Sequence, residues 1–572
     1  MNIIRASSTA TQSAIAMKDT PDSLQGKTIS ISTQALRNAI EHLPSVNNQR
    51  LRTEKYATMG ILVPLNFTLL YMFKSYLKYF WGLAPLVIMR SLVDFIEITL
   101  VIIFFWYRRL YPQVLEVPKT PESFVYLLCC YNETYMELMV SLNSLAMQNS
   151  IDEHKKLIIV VCDGHVSTKG NAKTAAAYLK EDIIERPSST FVPEAYTSWD
   201  GNQMDVELIK GEFKGFPIIC LIKNENRGKR DGIVLIRSFL HKFNSRKLSP
   251  SLAMLTPKLF DKLSLFLESN QIQSVDYAIG IDADTRFDPE CVSNLLQTVR
   301  EGDKVVGVTG YIRADPQTSS PISLSYLYQN AEYTVGQHRR RLRQSLTNGR
   351  VTCLPGCCQL LRVQESTCGD HILGRFGYYP KETDGLFRTI RSMMSEDRDH
   401  VCLVLSEYSD VQTRLCLKAK AYTTAPWSPS IFLSQRRRWT LGPLTSDSLL
   451  ISRKSTGYME RIAALCSVFH WVVNPALYIS KYYRILDNRT LSILYFLENY
   501  RKVWDLMCVI FSARSLLESL QLLSGIIIYG LCAPFVNFVV QLYTIYNLDD
   551  FRWGKTRIAS LGTTPTYNIN TS

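Results

Sequence analysis

The sequence predicts an α/β domain flanked on both sides by membrane-spanning helices. Between about residues 120 and 439, short apolar runs alternate with helical patterns and turn residues. Long apolar stretches lie before and after that region. The 572 residues also exceed the size of one ordinary domain. We therefore expect a mainly parallel sheet flanked by helices, joined at both ends to a helical membrane region.

Five apolar runs have the length and composition of buried strands. Each is rich in β-branched or aromatic residues and is bounded by polar turns. Because these runs are apolar on both faces, they favour a buried, mainly parallel sheet. The runs are residues 124–129, 157–162, 217–222, 277–281 and 305–309. The segment 164–215 is rich in polar residues, and we expect an insertion or a mobile loop there.

Apolar stretches near 20 residues long predict the membrane region. Two precede the domain and about three follow it, at residues 59–80, 83–107, 462–483, 503–523 and 526–546. Residues 1–55 lack the apolar core of a signal peptide, which predicts a flexible cytosolic leader. The predicted parts are this leader, two transmembrane helices (56–108), a cytosolic domain (120–426), basic interfacial helices (427–455), about three transmembrane helices (456–547) and a tail (548–572).

Charged residues orient and connect these helices. The second predicted span ends in an aromatic pair followed by Arg108 and Arg109, which places that end in the cytosol. Arg90, Asp94 and Glu97 lie three and four residues apart on one face of the same span. Because charges inside a membrane need partners, we expect them to pair with other helices. The pattern is typical of a multi-pass integral membrane protein.

Charge and cysteine content limit the function further. The net charge is +13, and a basic excess is compatible with nucleic acid, anionic lipid headgroups or a phosphate-bearing substrate. No basic tail dominates, so we do not expect nucleic acid as a partner. The 14 cysteines are scattered without zinc-ligand spacing, which predicts reduced, buried side chains.

Acidic residues follow two of the predicted strands. Asp163 and Gly164 come directly after residues 157–162, and Asp282 and Asp284 follow residues 277–281. Ligands of open α/β sheets bind beyond the carboxyl ends of strands, so both acidic sites should face one crevice. Two carboxylates separated by one residue can hold Mg2+ or Mn2+ against a diphosphate. Aspartates at strand ends also cap helices and turns, and this motif alone does not separate the two interpretations.

Glu396 and Asp397 open a helical pattern further along the chain. A carboxylate there can remove a proton from an attacking hydroxyl, which is the work of a general base. Acidic residues are also favoured at helix N-termini by the helix dipole. This motif alone therefore does not distinguish a general base from an acidic residue that stabilises the start of a helix, and the neighbouring motifs are needed to separate them.

A basic and aromatic motif precedes the last apolar stretches. It contains Gln435, Arg436, Arg438 and Trp439. Guanidinium groups bind diphosphate oxygens in bidentate fashion, and an indole face offers a platform for a sugar ring. The alternative is a juxtamembrane basic anchor with an interfacial tryptophan. That alternative leaves the paired acids upstream unexplained.

Taken in chain order, these motifs resemble the signatures of family 2 processive glycosyltransferases. The motifs are Asp163-Gly164, Arg227 to Asp231, Asp282-Ala283-Asp284, Cys353-Leu354-Pro355-Gly356, Glu396-Asp397-Arg398 and Gln435 to Trp439. The last two resemble chitin synthases in particular, as does the segment from Asn547 to Arg557. The resemblance covers residues 124–557 and implies a GT-A type glycosyltransferase domain.

The resemblance also implies a role for each motif. Asp397 would be the catalytic base with Glu396 beside it, and Asp284 would hold the metal with the assistance of Asp282. The other implied contacts are Asp163 and Gly164 with uridine, Lys229 and Arg230 with the nucleotide, Gln435, Arg436 and Arg438 with the diphosphate, Trp439 with the acceptor sugar, and Cys353, Pro355 and Gly356 at the acceptor end. Gln329, Glu332 and Tyr333 resemble a further family segment at the acceptor end.

The activity implied by the resemblance is the synthesis of chitin for a cell wall. It consists of processive, inverting transfer of N-acetylglucosamine from UDP-N-acetylglucosamine to a β-1,4-linked chain, with Mg2+ or Mn2+, and export of the polymer. Expected partners are the donor, the chitin chain and membrane lipid; a homodimer is compatible with the sequence. The expected location is the plasma membrane, with the catalytic domain in the cytosol. Alternatives are a hyaluronan or cellulose-type synthase, and a transporter or membrane scaffold that binds nucleotides without consuming sugar.

Overall fold

A ten-stranded sheet forms the centre of the domain, and the long helices that precede and follow the domain in the chain pack against one another. The computed structural model describes residues 44–75, 77–110, 121–168, 171–318, 320–426, 428–482, 488–551 and 559–561. All of them belong to one of the two contact units of the chain, residues 40–572. The strands are β1 (Ser123–Cys130), β2 (Lys155–Cys162), β3 (Val166–Thr168), β4 (Glu185–Thr197), β5 (Gln203–Phe213), β6 (Phe216–Lys223), β7 (Tyr277–Asp282), β8 (Thr285–Phe287), β9 (Val305–Ala314), β10 (Gln359–Arg362), β11 (Gln412–Thr423) and β12 (Ala559–Leu561).

The order of strands across the sheet is β4-β5-β6-β2-β1-β7-β10-β9-β11-β8, and β12 pairs separately with β3. Pairing is parallel among β6, β2, β1 and β7 at the centre, and mostly antiparallel outside them. All five strands predicted from apolar runs are present, as β1, β2, β6, β7 and β9. The predicted α/β fold class is confirmed.

Helices pack on both faces of this sheet, and longer helices precede and follow the domain along the chain. They are α1 (Asn48–Ser75), α2 (Leu77–Leu110), α3 (Tyr135–Ala146), α4 (Ala175–Tyr178), α5 (Lys229–Asn244), α6 (Pro257–Ser269), α7 (Cys291–Val299), α8 (Leu324–Gly336), α9 (Arg343–Thr347), α10 (Glu365–Cys368), α11 (Asp370–Phe376), α12 (Leu386–Met393), α13 (Glu396–Glu407), α14 (Pro429–Ser452), α15 (Tyr458–Tyr482), α16 (Asn488–Ser512) and α17 (Leu516–Tyr546). A π-helical turn, Gln337–Leu342, joins α8 to α9.

Both faces of the central strands are buried, which explains their continuous apolar runs. Successive side chains of β1 point to opposite faces of the sheet. Phe124, Tyr126 and Leu128 pack in one core cluster with α3 and α7. Val125 and Leu127 pack in a second cluster with α5 and α6. A strand covered by helices on both sides has no polar face, and its sequence reads as unbroken hydrophobic residues.

The segment 164–215 contains two long strands, so the expectation of a mobile loop is wrong, and the alternative of an insertion stays a prediction. β4 and β5 form an antiparallel hairpin that extends the sheet through β6. In β5 the buried residues Met204, Val206 and Leu208 alternate with more polar ones. The opposite face is buried as well at Glu207 and Ile209, so the strand differs from β1 in the polar residues that interrupt its apolar ones. The apolar-run criterion could not find it, because that criterion selects uninterrupted apolar residues.

Three helices are long and apolar enough to cross a membrane within the described part of the chain. They are Asn48–Ser75, Tyr458–Ser480 and Leu516–Tyr546. The first begins inside the predicted leader, because the Asn47 side chain accepts a hydrogen bond from the backbone N–H of Arg50 at 3.0 Å. Residues 1–43 of that leader lie outside the described residues.

The predicted span 503–523 is divided between two helices. α16 ends at Ser512, and α17 begins at Leu516 with the side chain of Ser515 accepting from the N–H of Glu518 at 3.2 Å. This cap starts a new helix inside the apolar stretch. Residues 427–455, where interfacial helices were predicted, contain one helix, α14. It packs against α12, α13, α15 and α17.

The expected pairing of charges between the long helices is present. Asp94 of α2 accepts from the Arg343 guanidinium at 2.9 Å and lies 3.5 Å from that of Arg501 on α16. Glu97 lies 2.9 Å from the same Arg343. Arg343 is buried in the segment that follows α8. These ion pairs connect α2 and α16 to the edge of the domain.

Candidate active site

Two acidic groups lie at the carboxyl ends of neighbouring central strands. β1 lies between β2 and β7, with Cys130 opposite Cys162 and Cys129 opposite Asp282. Asp163 directly follows β2. Because adjacent strands are about 4.8 Å apart, the backbones at Asp163 and Asp282 are separated by about 10 Å across β1. Both acidic sites therefore lie at the same edge of the sheet.

The first group, the Asp163 group, consists of Asp163, Lys223, Asp231 and Arg227. The Lys223 ammonium is completely buried, 2.5 Å from an oxygen of Asp163 and 3.1 Å from an oxygen of Asp231. Burial alone would lower the pKa of Lys223, but the two carboxylates outweigh it and raise that pKa. The backbone N–H of Arg227 donates to Asp163 at 2.9 Å. The Asp163 carboxylate is thus held in one orientation before any ligand binds.

Gly164 permits the chain to turn directly after Asp163. Its φ of +87° belongs to a region that side-chain-bearing residues rarely adopt. A Cβ atom at this position would also lie 3.0 Å from the backbone nitrogen of Asn226. The loop that donates to Asp163 therefore approaches it closely only because residue 164 is glycine.

The second group, the carboxylate cluster, consists of Asp282, Asp284, Glu396 and Asp397 around Lys229. The Lys229 ammonium lies 2.5 Å from Asp282 and 3.7 Å from Glu396. A Cβ atom at Gly356 would lie 2.8 Å from Asp397 Oδ1, 3.2 Å from Lys229 Nζ and 3.6 Å from Asp282 Oδ1. Residues from four separate segments therefore meet at Gly356.

Asp397 has the properties of a proton acceptor. Burial, followed by the negative charges of Glu396 and Asp282, raises the pKa of Asp397 to about 7, although Lys229 and a hydrogen bond from the Gly356 backbone act in the opposite direction. A carboxylate with a pKa near the working pH can both take up and release a proton efficiently. These properties are compatible with the role of base that the sequence predicts for Asp397, and that role stays a prediction.

Two glutamates that the sequence analysis missed lie near Asp284. Burial and the charges of Asp282, Glu133 and Glu137 raise the pKa of Asp284 to about 7, despite Lys229. Glu133 is itself raised to a pKa of about 7, chiefly by burial. Both glutamates follow the end of β1, just as the aspartates follow β2 and β7. That position beyond a central strand was the signal that could have found them.

This concentration of negative charge fits a divalent cation. Within the described residues, no three His, Cys, Asp or Glu side chains come close enough together to hold a metal ion on their own. Mg2+ and Mn2+ commonly bind through one or two protein carboxylates, with substrate phosphates and water completing the shell. Asp282 and Asp284 can supply those two carboxylates.

The start of α13 is fixed by close contact with α14. Ser395 precedes Glu396 and has a positive φ of 64°. A Cβ atom at Gly442 of α14 would lie only 1.8 Å from the Ser395 hydroxyl oxygen. A non-glycine residue in this backbone conformation costs on the order of 1–3 kcal/mol. Packing against Gly442 holds this backbone, which aims Glu396 and Asp397 at the cluster.

The three arginines of α14 point in three directions, since successive helical residues are rotated by about 100°. The Arg436 guanidinium pairs with Glu332 at 3.0 and 3.1 Å, also contacts Gln435, and lies 4.1 Å from the ring centre of Trp439. It is therefore not directed at the carboxylate cluster. Trp439 is 44% exposed and its ring lies 5.6 Å from that of Tyr333. Trp439 therefore offers an exposed aromatic surface that rests on the buried Tyr333.

Arg437 and Arg438 point in two other directions from α14. Arg437 is buried and lies 2.7 Å from Asp550, beyond the end of α17. Arg438 faces the cluster: burial lowers its pKa, and the charges of Glu396, Asp397 and Asp282 act in the opposite direction. Of the three arginines, it is Arg438 that shares its surroundings with the predicted base.

Arg230 does not reach the site, contrary to the prediction. It is buried, donates to Asp399 at 2.8 Å and to the carbonyl of Phe376 at 2.9 Å. Its neighbour Lys229 occupies the cluster instead, because one helical step turns the side chain away. Cys353 and Pro355 belong to the turn that brings Gly356 to the cluster, closed by a hydrogen bond from the N–H of Cys358 to the carbonyl of Pro355 at 3.0 Å.

The sequence analysis also missed an aromatic pair beside the Asp163 group. Trp199 and Tyr379 are half-buried, with ring centres 5.1 Å apart. The backbone N–H of Trp199 donates to Asp231 at 2.9 Å, and a Cβ at Gly228 would touch the indole. Trp199 lies in the hairpin region that was expected to be a loop, so its position could not be foreseen.

The fold, with carboxylates at the strand ends and Asp397 beside them, is that of a glycosyltransferase of the GT-A type. A model of the chitin synthase family matches residues 109–201 and 219–570. Chitin synthase 8 of Gibberella zeae is 36% identical over 545 residues, which cover 90% of this chain and 79% of that protein. Chitin synthase 8 of Verticillium dahliae is 35% identical over 459 residues, which cover 76% and 75%. The chain belongs to the chitin synthase family, as the sequence motifs predict.

Solved glycosyltransferase structures are more distant. A mannosyltransferase from Pyrobaculum calidifontis in complex with GDP-Man and Mn2+ is 11% identical, with a TM-score of 0.39 over 81% of this chain and 96% of that one. S. aureus TarS 1–349 in complex with UDP-GlcNAc is 12% identical, with a TM-score of 0.29 over 67% and 90%.

Proposed function

We propose that the protein is a chitin synthase that transfers N-acetylglucosamine from UDP-N-acetylglucosamine to the growing end of a β-1,4-linked chain. The observation that carries this proposal is the meeting of Asp397, Lys229 and Asp282 in the space beside Gly356. A base with a pKa of about 7 there lies next to the acidic motif that suits a metal-bound diphosphate.

The proposed reaction is a single in-line displacement. Asp397 takes the proton from the terminal 4-hydroxyl of the acceptor as its oxygen attacks the anomeric carbon of the donor. The bond from that carbon to UDP breaks, and the configuration inverts. Lys229 and Arg438 stabilise the negative charge that develops on the leaving diphosphate. Glu396, buried beside the base, keeps the pKa of Asp397 high enough for efficient proton transfer.

Asp284 and Asp282 would hold Mg2+ or Mn2+. The ion supplies charge neutralisation of the diphosphate and orients it. Lys229, 2.5 Å from Asp282, adds a fixed positive charge on the same side. The glutamates near Asp284, Glu133 and Glu137, increase the local negative charge, which strengthens cation binding.

The remaining site residues divide between donor and acceptor. We assign the uridine to Asp163 and Gly164, next to Trp199. We assign the acceptor sugar to Trp439, whose exposed face suits ring stacking. Arg436 pairs with Glu332 beneath that tryptophan, so we assign it to orienting the indole rather than to the diphosphate.

Chain growth and export are proposed to use the long helices. The domain is joined to α2 on one side and, through α14, to α15 on the other. Three described helices are candidate membrane spans. We propose a multi-pass protein of the plasma membrane, with the domain at residues 120–426 in the cytosol and the product passed between the helices after each addition.

The donor and the base can be tested together. Purified full-length protein is supplied with each radiolabelled UDP-sugar, and the polymer is treated with chitinase. We expect incorporation from UDP-N-acetylglucosamine into chitinase-sensitive product; incorporation of another sugar would favour a hyaluronan or cellulose-type synthase. Asp397→Asn should abolish synthesis and retain UDP binding, whereas Asp410→Asn, at an exposed site beyond the same helix, should retain both. Normal polymer yield from Asp397→Asn would reject the proposed base.

A further inference from the structure

A basic cavity lies between α12 and α14, outside the site described above. Its volume is about 480 Å3, and it is lined by Phe387, Arg388, Arg391, Thr445, Ser448, Leu449, Ser452 and Arg453. None of these eight described residues is acidic. The hydroxyls of Thr445, Ser448 and Ser452 donate to carbonyls of their own helix. Recognition of a ligand therefore falls on the three guanidinium groups.

The carboxylates behind this cavity are shared with other arginines. Asp399 lies 3.6 Å from Arg391, but it also accepts from Arg230 at 2.8 Å. Burial and the neighbouring guanidinium groups lower the pKa of Arg391, and Asp399 only partly opposes them. The positive charge of Arg391 is thus incompletely balanced.

The other two arginines show the same imbalance. Arg453 lies 3.8 Å from Glu407, which also pairs with Arg375. Arg388 lies over the ring of Tyr378 at 4.0 Å, and no carboxylate within 4.0 Å of it occurs among the described residues. The two carboxylates that approach Arg391 and Arg453 are therefore shared among four arginines, and Arg388 adds a fifth positive charge. Such an excess around a cavity attracts an anion.

The cavity lies where two candidate membrane spans begin. α14 ends at Ser452, and α15 begins at Tyr458, where Tyr458 and Met459 are 84% and 63% exposed. On the other side, Glu54 of α1 accepts from the N–H of Leu386 at 2.6 Å, which joins α1 to α12. Apolar side chains exposed at helix ends beside basic residues are typical of the cytosolic membrane interface.

We propose that this cavity binds the phosphate group of an anionic ligand at the membrane surface. Guanidinium groups bind phosphate oxygens in bidentate fashion and remain charged in partly buried sites. The phosphate can come from an acidic lipid headgroup or from a free phosphate compound, because the recognition chemistry is the same. The half-exposed Phe387 and the nearby spans suit the acyl region of a lipid.

The test uses full-length protein in detergent with three probes: short-chain phosphatidic acid, short-chain phosphatidylcholine and inorganic phosphate. Binding is measured by the rise in Tm with ligand concentration. Phosphatidic acid should stabilise the natural protein. The variant R388Q/R453Q, which lacks two of the three guanidinium groups, should bind it at least about tenfold more weakly, a loss of about 1.4 kcal/mol in binding free energy. R186Q/K258Q removes two positive charges near β4 and α6 and should bind normally.

Each result has a defined meaning. If phosphatidic acid alone binds through these arginines, the source is a lipid headgroup; if inorganic phosphate binds there equally well, the source is a free anion. R388K/R453K preserves the charge but loses the bidentate geometry, so it should bind with an affinity between those of the natural protein and R388Q/R453Q, which separates loss of charge from loss of folding. Equal binding of phosphatidic acid to R388Q/R453Q and to the natural protein would overturn the proposal. Equal binding of phosphatidic acid and phosphatidylcholine to the natural protein would also overturn it.

Discussion

Replacing Glu396 by glutamine should make the enzyme less sensitive to acid. Burial is the largest cause that raises the pKa of Asp397 to about 7, and the charge of Glu396 is the second largest. Removing one neighbouring charge shifts a pKa by about one unit, to about 6 here. At about pH 6 the ionised fraction of Asp397 then rises from about one tenth to about one half, while at about pH 8 it hardly changes. The ratio of the rate at the lower pH to that at the higher pH should rise about fivefold.

The assay measures UDP release from saturating donor across this pH range with full-length enzyme. Using a ratio removes any change in the overall rate that the substitution causes. Glu407→Gln, at the far end of α13, is the matched control and should leave the profile unchanged. Lys229→Met should move the acidic limb in the opposite direction, because Lys229 lowers the pKa of Asp397. An acidic limb that stays in place or moves to higher pH in Glu396→Gln would refute the assignment of Asp397.

Three further substitutions test other parts of the structure. Gly442→Ala places a carbon 1.8 Å from the Ser395 hydroxyl and should destabilise the protein by about 1–3 kcal/mol, read as a lower Tm, and reduce transfer. Asp284→Asn should weaken the apparent affinity for Mn2+ by more than about tenfold in activity titrations, with unchanged Tm; an unchanged titration would exclude Asp284 as a ligand. Arg343→Gln removes the nearer of the guanidinium groups of Arg343 and Arg501 beside the buried Asp94 and should cost about 3 kcal/mol in denaturant unfolding. Adding Asp94→Asn should recover part of that loss.

The sequence carried enough information for the centre of the fold but not for its edge. Strands buried on both faces, such as β1 and β2, appear as continuous apolar runs. Polar residues interrupt the apolar residues of β4 and β5, so this hairpin resembled a polar loop. The boundary between α16 and α17 depends on a single serine cap within an apolar stretch.

The site was predictable where chemistry follows strand ends. Asp163, Asp282 and Asp284 follow central strands, and parallel strands end at one edge of the sheet. The directions of consecutive helical residues were not predictable, because they depend on which neighbours surround the helix. Lys229 therefore reaches the cluster while Arg230 is buried against Asp399.

Two consecutive aspartates beyond α17 connect this segment to α1 and to α14. Asp549 lies 2.7 Å from Lys55 on α1, and Asp550 lies 2.7 Å from Arg437, one residue before Arg438. A protease cut or a fusion placed just ahead of Asp549 would release both contacts at once. Reporter proteins are therefore better attached downstream of Asp550, where they leave both ion pairs, and with them the orientation of Arg438, unchanged.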